Sequence, residues 1–303
     1  MRTLVVQAPP GDGFDGGAGL KRLIVTADDF GLAEEVNAAV EAAHRFGILS
    51  AASLMVAAPA AADAVRRAQA LPTLRVGLHL VVVEGTPTLP PERIHGLVDR
   101  DGRLRRDLAR LGLELACRPA LRRQMRAEIA AQFEAFRATG LTLDHVDVHK
   151  HYHLHPLVSR QIIDVGRRFG MRALRVPAEP ARVLARIEKP RVGVSRRLLE
   201  PFIGFLRAQM RRAGLLTPDA VFGLAWSGAM TAERLAGLLR NLPRGLSEIY
   251  THPALTDQFP GHAGGYRYRD ELAALRAPAV LAALRQSEAR LGSYGDFFGS
   301  DGK

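Results

Sequence analysis

The chain has 303 residues, of which 47% are hydrophobic and 24% charged, a composition typical of a globular protein with a large buried core. Its single cysteine, Cys117, excludes an internal disulfide and is typical of a reducing compartment. No apolar run approaches the roughly 20 residues of a transmembrane helix, and the apolar patch at residues 4–6 is too short for a signal peptide. We therefore expect a cytoplasmic location.

The formal net charge of +11 raises the question of an anionic partner. The arginines are spread along the predicted helices, only 6% of the residues are aromatic, and there is no recognisable nucleic-acid-binding motif. We therefore predict no role with nucleic acids. Residues 196–216 combine large apolar side chains with five arginines around Pro201. This composition fits either an interfacial amphipathic helix or an ordinary covering helix with a solvated basic face.

Short apolar, β-branched runs alternate with longer segments of helical periodicity. Residues 1–20 are predicted to be a flexible leader and residues 21–303 a single domain. In chain order the pattern predicts strand 23–27, helix 32–46, strand 48–57, helix 59–70, strand 74–83, an irregular segment 84–117, helix 118–139, strand 143–149, helix 155–169, strand 173–176, a basic amphipathic insertion at about 181–225, helix 231–242, strand 247–251, and helical structure from Asp270 onward that is interrupted at Pro278. This alternation predicts an α/β fold with a parallel sheet, open or closed into a barrel.

Ionisable side chains follow or end the predicted strands. They are Asp28 and Asp29, His79, His149, Arg175 and His252. Because functional groups gather at the carboxyl ends of the strands in both open and barrel-like parallel sheets, we expect these side chains to converge on one site.

Five of the ten histidines lie within eleven residues, all at odd positions. On a strand, His145, Asp147 and His149 would share one face. Histidine is the commonest metal ligand, and two histidines with one carboxylate leave open positions for water and substrate. The pattern therefore predicts a metal or acid–base site. Taken singly, Asp29 also fits a helix cap and His79 a buried core histidine.

Several motifs together resemble one known family. LIVTADDFGLAEEVNAAV, GLHLVV, DHVDVHKHYHLHP, ALRVP and YTHPA follow in an order and spacing that resemble the YdjC/ChbG-like carbohydrate deacetylases, from about Leu23 to the C-terminus. The segment VEGTPTLPPERIHGLVDRDGR and the insertion are most similar to the hopanoid-biosynthesis-associated branch. Members of that branch are implicated in removing the acetyl group from an N-acetylglucosaminyl hopanoid.

The resemblance implies a distorted (β/α) TIM-like barrel related to polysaccharide deacetylases, and hydrolysis of N-acetyl groups on sugars. By the same match, Asp29, His79 and His149 are expected to bind the metal. Asp28 is expected to be the base that acts on the attacking water, and His252 the acid that protonates the leaving amine.

Two further residues are assigned to substrate binding. His153 is favoured over His151 as the residue that lines the pocket. Arg175 is expected either to hold Asp28 ionised through a bidentate pair or to form a surface salt bridge. The ligand types favour zinc, whereas members of the family are often described with magnesium, so one divalent ion, Zn²⁺ or Mg²⁺, is expected.

The predicted substrate is an acetylated amino sugar, lipid-linked by the branch resemblance, with residues 196–216 as a peripheral contact to the inner membrane. The alternatives are a chitooligosaccharide deacetylase with a soluble substrate, a metal-dependent phosphoesterase or sugar isomerase on a similar barrel, and a non-enzymatic metal-binding scaffold. Asp28 and His252 argue against the scaffold, because holding a metal needs no proton-transfer groups. The sequence does not predict the oligomeric state.

Overall fold

The computed structural model describes residues 20–188 and 195–298, so nearly all of the predicted leader lies outside the described residues. Within these ranges the strands are β1 (Lys21–Phe30), β2 (Ala51–Leu54), β3 (Arg75–Leu80), β4 (Val146–Val148), β5 (Ala220–Phe222), β6 (Gly245–Thr251) and β7 (Arg290–Gly292). They form one parallel sheet in the order β4-β3-β2-β1-β6-β5, and β7 pairs with the beginning of β1.

The helices cover this sheet. In chain order they are α1 (Glu34–Phe46), α2 (Ala61–Gln69), α3 (Leu108–Cys117), α4 (Pro119–Ala138), α5 (Pro156–Gly166), α6 (Ala181–Leu184), α7 (Ser195–Ala213), α8 (Ala232–Arg240), α9 (Tyr268–Arg276), α10 (Pro278–Ser287) and α11 (Tyr294–Phe298). Short 3₁₀ segments lie at Pro91–Arg93, His149–Leu154 and Arg167–Phe169.

The sheet curls, and its interior is closed to solvent. Residues 23–30 of β1 are all buried, as expected for a central parallel strand covered on both faces. Beyond β4, backbone contacts link Val146 to Leu174, Ala173 to Leu216 and Val221 to Ala178. These contacts bring the β4 edge round towards β5, so the predicted α/β fold with a distorted barrel is confirmed.

Most of the predicted elements are confirmed, but four assignments need correction. The irregular segment 84–117 contains α3, whose Leu111 and Leu115 are one helical turn apart and face the core. Residues 173–176 make only isolated bridges. β5 falls inside the predicted insertion, and β7 follows helices that were predicted to continue. Three-residue strands carry too few side chains for alternation to be recognised in the sequence.

The amphipathic segment forms α7, which contains Pro201 and packs against α5 and the 3₁₀ segment of histidines. Leu206 is buried, whereas Phe202 and Phe205 are 45% and 43% exposed. In the described ranges, no helix is both long enough and apolar enough to cross a membrane.

Candidate metal centre and active site

Asp28 and Asp29 lie inside the carboxyl end of β1 rather than after it. Ala27 and Phe30 are three positions apart, whereas their partners on β2, Ala52 and Leu54, are two positions apart, so one extra residue in β1 forms a β-bulge. Asp29 has a φ of 62°, a left-handed conformation that is uncommon outside glycine. Adjacent side chains of a regular strand point to opposite faces, but the bulge lets both carboxylates reach the same site.

The structure brings the three predicted metal ligands together. Nε2 of His79 lies 3.3 Å from Oδ1 of Asp29. Nδ1 of His149 lies 3.2 Å from that same nitrogen of His79 and 3.5 Å from the Asp29 oxygen. Ligands at about 2.0–2.1 Å from a tetrahedral ion are separated by about 3.3 Å, so the spacing fits one shared ion. The Asp29 oxygen is buried and accepts no hydrogen bond from the described residues. The donor set can therefore hold a divalent ion.

The charges around these ligands favour a cation. Burial disfavours the charged form of His79, but Asp147 and Asp29 outweigh burial and raise the pKa of its imidazole well above the usual value. Burial also opposes the ionisation of Asp29, yet His149 and His79 hold the pKa of its carboxyl well below the usual range. A divalent ion would supply the positive charge that this position attracts.

Asp147 explains the orientation of His79. Its Oδ1 lies 2.8 Å from Nδ1 of His79, so a proton on Nδ1 leaves the lone pair of Nε2 facing Asp29 and His149. Asp147 is completely buried and also lies 2.9 Å from Arg175. The sequence pattern placed Asp147 on the same strand face as His149, but no role was predicted for it.

Arg175 holds Asp28 from inside the barrel. Nη1 and Nη2 of Arg175 donate to the two carboxylate oxygens of Asp28 at 2.7 and 2.8 Å, and Nη2 also lies 2.8 Å from Glu248. The predicted bidentate pair is present. The alternative of a surface salt bridge is wrong, because Arg175 is completely buried and has no surface to present to a substrate. Burial raises the pKa of Asp28 in spite of Arg175, and Asp147 adds to this rise.

His252 lies beside Asp28 at the end of the neighbouring strand. β6 pairs in parallel with β1 up to the position just before Asp28, and His252 directly follows β6. Its ring packs against Tyr250 and Tyr266, with ring centroids 5.7 and 5.2 Å apart. The two tyrosines were not predicted as part of the site, and nothing in their sequence spacing distinguishes them from core aromatic residues.

The histidine run leaves the sheet one residue before the end of the predicted strand 143–149. β4 ends at Val148, and the chain turns through the 3₁₀ segment, where Lys150 and His151 have left-handed φ values of 56° and 51°. His153 is fully buried, with its Nε2 2.8 Å from the carbonyl oxygen of Arg175. His151 is partly exposed, and its Nε2 lies 3.1 Å from the hydroxyl of Tyr250. Of the two candidates for the pocket wall, the structure exposes His151.

The protein is thus an α/β protein with a curled parallel sheet and a candidate centre for a divalent metal at the carboxyl ends of β1, β3 and β4. The chain belongs to the family of YdjC-like proteins, whose model matches residues 22–286.

Curated relatives and a solved structure are similar over nearly the whole chain. A carbohydrate deacetylase from Thermoanaerobacter pseudethanolicus is 27% identical over 277 residues, which cover 91% of this chain and 98% of that protein. A carbohydrate deacetylase from Geobacillus stearothermophilus is 29% identical over 279 residues, covering 91% and 97%. The crystal structure of a candidate cellobiose-phosphate cleavage protein from Enterococcus faecalis V583 has a TM-score of 0.72 at 22% identity, and the match covers 92% of this chain and 99% of that one. This last likeness supports the fold.

Proposed function

We propose that this protein is a metal-dependent hydrolase that removes the N-acetyl group from an N-acetylglucosamine-type sugar. The observation that supports this most directly is the convergence of Asp29, His79 and His149, with the Arg175-bound carboxylate of Asp28 on the adjoining residue. The two carbohydrate deacetylases that match most of the chain agree with this activity.

The residues divide into metal ligands and proton-transfer groups. Asp29, His79 and His149 would hold a divalent ion, which would lower the pKa of a water molecule and polarise the acetamide carbonyl. Asp28, held by Arg175, takes the proton of the water that attacks this carbonyl. As the C–N bond breaks, His252 gives a proton to the nitrogen, so that the products are acetate and a free amino sugar.

His151 replaces His153 in this proposal as the histidine that lines the substrate pocket. His151 is the partly exposed member of the pair, and its contact with the Tyr250 hydroxyl supports a position on the same wall as His252, whose ring also packs against Tyr250. His153 instead bonds the backbone of Arg175 and thereby supports the residue that holds Asp28. The ion is zinc or magnesium, and the two imidazole ligands favour zinc.

Parallel assays test the reaction. We expect the metal-loaded protein to release acetate from N-acetylglucosaminides, with loss of one acetyl group in the mass spectrum of the sugar. Phosphosugars incubated under the same conditions should release no phosphate and should not isomerise. Phosphate release or isomerisation without acetate would contradict the proposal and favour one of the other metal-dependent reactions.

We also propose that the sugar is lipid-linked, as in an N-acetylglucosaminyl hopanoid, and that α7 contacts the cytoplasmic face of the membrane. Supporting this are Phe202 and Phe205, which are large, apolar and 45% and 43% exposed, on a helix that ends in Arg211 and Arg212. Arginines near an anionic surface contribute about 1 kcal/mol each, and partial burial of two phenylalanines adds to reversible binding. Because α7 packs on the 3₁₀ segment of histidines, this contact would bring the site to the lipid headgroups.

The double variant Phe202→Ser/Phe205→Ser tests this membrane contact. We expect weaker binding to anionic liposomes and slower deacetylation of the lipid-linked sugar, with activity on a short soluble N-acetylglucosaminide retained. Leu206 is left unchanged because it is buried and its loss would damage the core. Phe46→Ser is the matched control, since Phe46 is 61% exposed on α1. Equal losses on both substrates would show that the two phenylalanines act through folding.

A further inference from the structure

Glu271 joins the two loops that surround His252. It lies on α9, and its carboxylate is buried, with only 1% of the residue exposed. One oxygen accepts the backbone N–H of Met230 at 2.9 Å, and the other accepts the backbone N–H of His252. Met230 belongs to the loop after β5, and His252 to the loop after β6. A single carboxylate therefore sets the separation of these two loops.

The imidazole of His252 has no comparable anchor. Its Nδ1 is buried, and within the described residues no group forms a hydrogen bond with it. Catalytic histidines are commonly oriented by a hydrogen bond to the ring nitrogen that does not react. Within the described ranges the ring packs against Tyr250 and Tyr266 without such a hydrogen bond at Nδ1, so its direction depends on where the backbone of His252 lies.

The loop after β5 also controls one of these packing partners. The hydroxyl of Tyr266 is 2.7 Å from Oγ of Ser227, and its ring lies directly on Gly228, where there is no room for a Cβ atom. The backbone N–H of Arg267 donates to the carbonyl of Gly228 at 2.7 Å. A shift of the Met230 loop relative to His252 would thus move Tyr266 and the imidazole out of contact.

We propose that Glu271 is a positioning residue for proton transfer by His252. It acts through the two backbone N–H groups and does not touch the substrate. This inference rests on the proposed function, in which His252 protonates the leaving amine. A carboxylate is required because it offers an acceptor to each loop, whereas an amide would turn an NH₂ group towards one of the two N–H donors.

The first experiment compares Glu271→Gln with the unaltered enzyme on the acetylated sugar that gives acetate in the parallel assay. We expect kcat to fall about 10- to 100-fold. A general acid accelerates the reaction by a factor of about 10²–10⁴, and a displaced general acid retains part of that acceleration. KM and metal content should stay the same. Glu128→Gln is the matched control, since Glu128 is also fully buried and accepts two backbone N–H groups, those of Thr88 and Leu89. The Glu128→Gln variant should lose a similar free energy of unfolding without the same loss of kcat.

A double-variant comparison separates positioning from a general effect on folding. In the His252→Ala background, Glu271→Gln should cause no further loss of kcat, because the group it positions is gone. If the two losses multiply instead, Glu271 does not act through His252 and the inference is overturned. Should Glu271→Gln not fold, Glu271→Asp serves in the same comparison, since its shorter side chain cannot reach both donors. A normal kcat in His252→Ala alone would instead refute the acid role in the proposed function, and the positioning role would be overturned with it.

Discussion

His79 has an acidic residue on each side of its ring. Asp147 lies 2.8 Å from Nδ1, and Asp29 lies 3.3 Å from Nε2. The shorter contact fixes one proton on Nδ1, and the other nitrogen is left to bind a metal together with Asp29 and His149. A histidine in an apolar strand would ordinarily be a core residue, and these two contacts are what distinguish His79 from that case.

Replacing a metal ligand should remove the ion and leave the fold. For His149→Ala we expect loss of most bound metal, because two of three ligands rarely hold an exchangeable ion, while circular dichroism remains unchanged. Elemental analysis after dialysis measures this. His155→Ala is the control from the same histidine run, since His155 bonds the carbonyl of Gly112 and lies outside the cluster. Full metal occupancy in His149→Ala would show that the ligand assignment is wrong.

Replacing the proposed base should lower the activity without removing the metal. Asp28→Asn keeps the shape of the side chain but cannot accept the proton of water, so we expect the metal to be retained and kcat to fall about 10²–10⁴-fold. Acetate release and metal content are measured on the same preparation. Ser53→Ala is a useful control, because it removes the 3.3 Å contacts of the Ser53 hydroxyl with Asp28 and with Nδ1 of His79 but leaves both of those side chains in place. A rate near that of the unaltered enzyme in Asp28→Asn would place the base elsewhere.

At the scale of the elements, Arg175 joins strands that are distant in sequence. It contacts Asp28 of β1, Asp147 of β4 and Glu248 of β6, and all four residues are buried. The hydroxyl of Tyr294, which lies two residues after β7, also donates a hydrogen bond to Glu248 at 2.6 Å. The guanidinium therefore sets the position of the carboxyl end of β1 relative to its neighbour β6 and to β4, which lies three strands away in the sheet.

Removing this cation should destabilise the whole sheet. Arg175→Met leaves three buried carboxylates without their partner, and we expect a loss of about 3–5 kcal/mol in the free energy of unfolding. Arg175→Lys should recover only part of the loss, because an ammonium cannot make the bidentate contact. Urea denaturation measures both variants. Arg234→Met is the control, because Arg234 makes a similar bidentate pair with the exposed Glu188 and should cost about 1 kcal/mol or less.

At the scale of the whole molecule, metal binding should be visible as thermal stability. An ion that binds the folded state stabilises it by about 2.7 kcal/mol when present at 100 times its dissociation constant. We expect a chelator to lower the melting temperature, and added zinc or magnesium to restore it. The His149→Ala protein should melt at the same temperature with and without chelator. If neither the chelator nor added metal changes the melting temperature of the unaltered protein, that result would contradict a single strong metal site.

Local sequence determined much of this molecule. The helices follow from apolar periodicity, and the order of strands and helices predicts a parallel sheet with its ionisable residues at one edge. The grouping of Asp29, His79 and His149 was accessible in this way, because each lies at or just beyond the end of a strand. Strand ends are a property of the local pattern, and a parallel sheet places all of them on the same side.

Only the tertiary structure decided which polar residues meet. Arg175 and Asp28 are 147 positions apart, and no local pattern distinguishes their buried pair from a surface salt bridge. The same holds for Glu271, which reaches the backbone of Met230 and His252 across two loops. His151 and His153 both belong to the run of histidines at alternating positions, so their spacing does not distinguish them. The 3₁₀ turn after Val148 leaves His151 partly exposed and buries His153. Contacts between distant segments depend on how the sheet curls, and that curvature is a property of the packed fold rather than of any one segment.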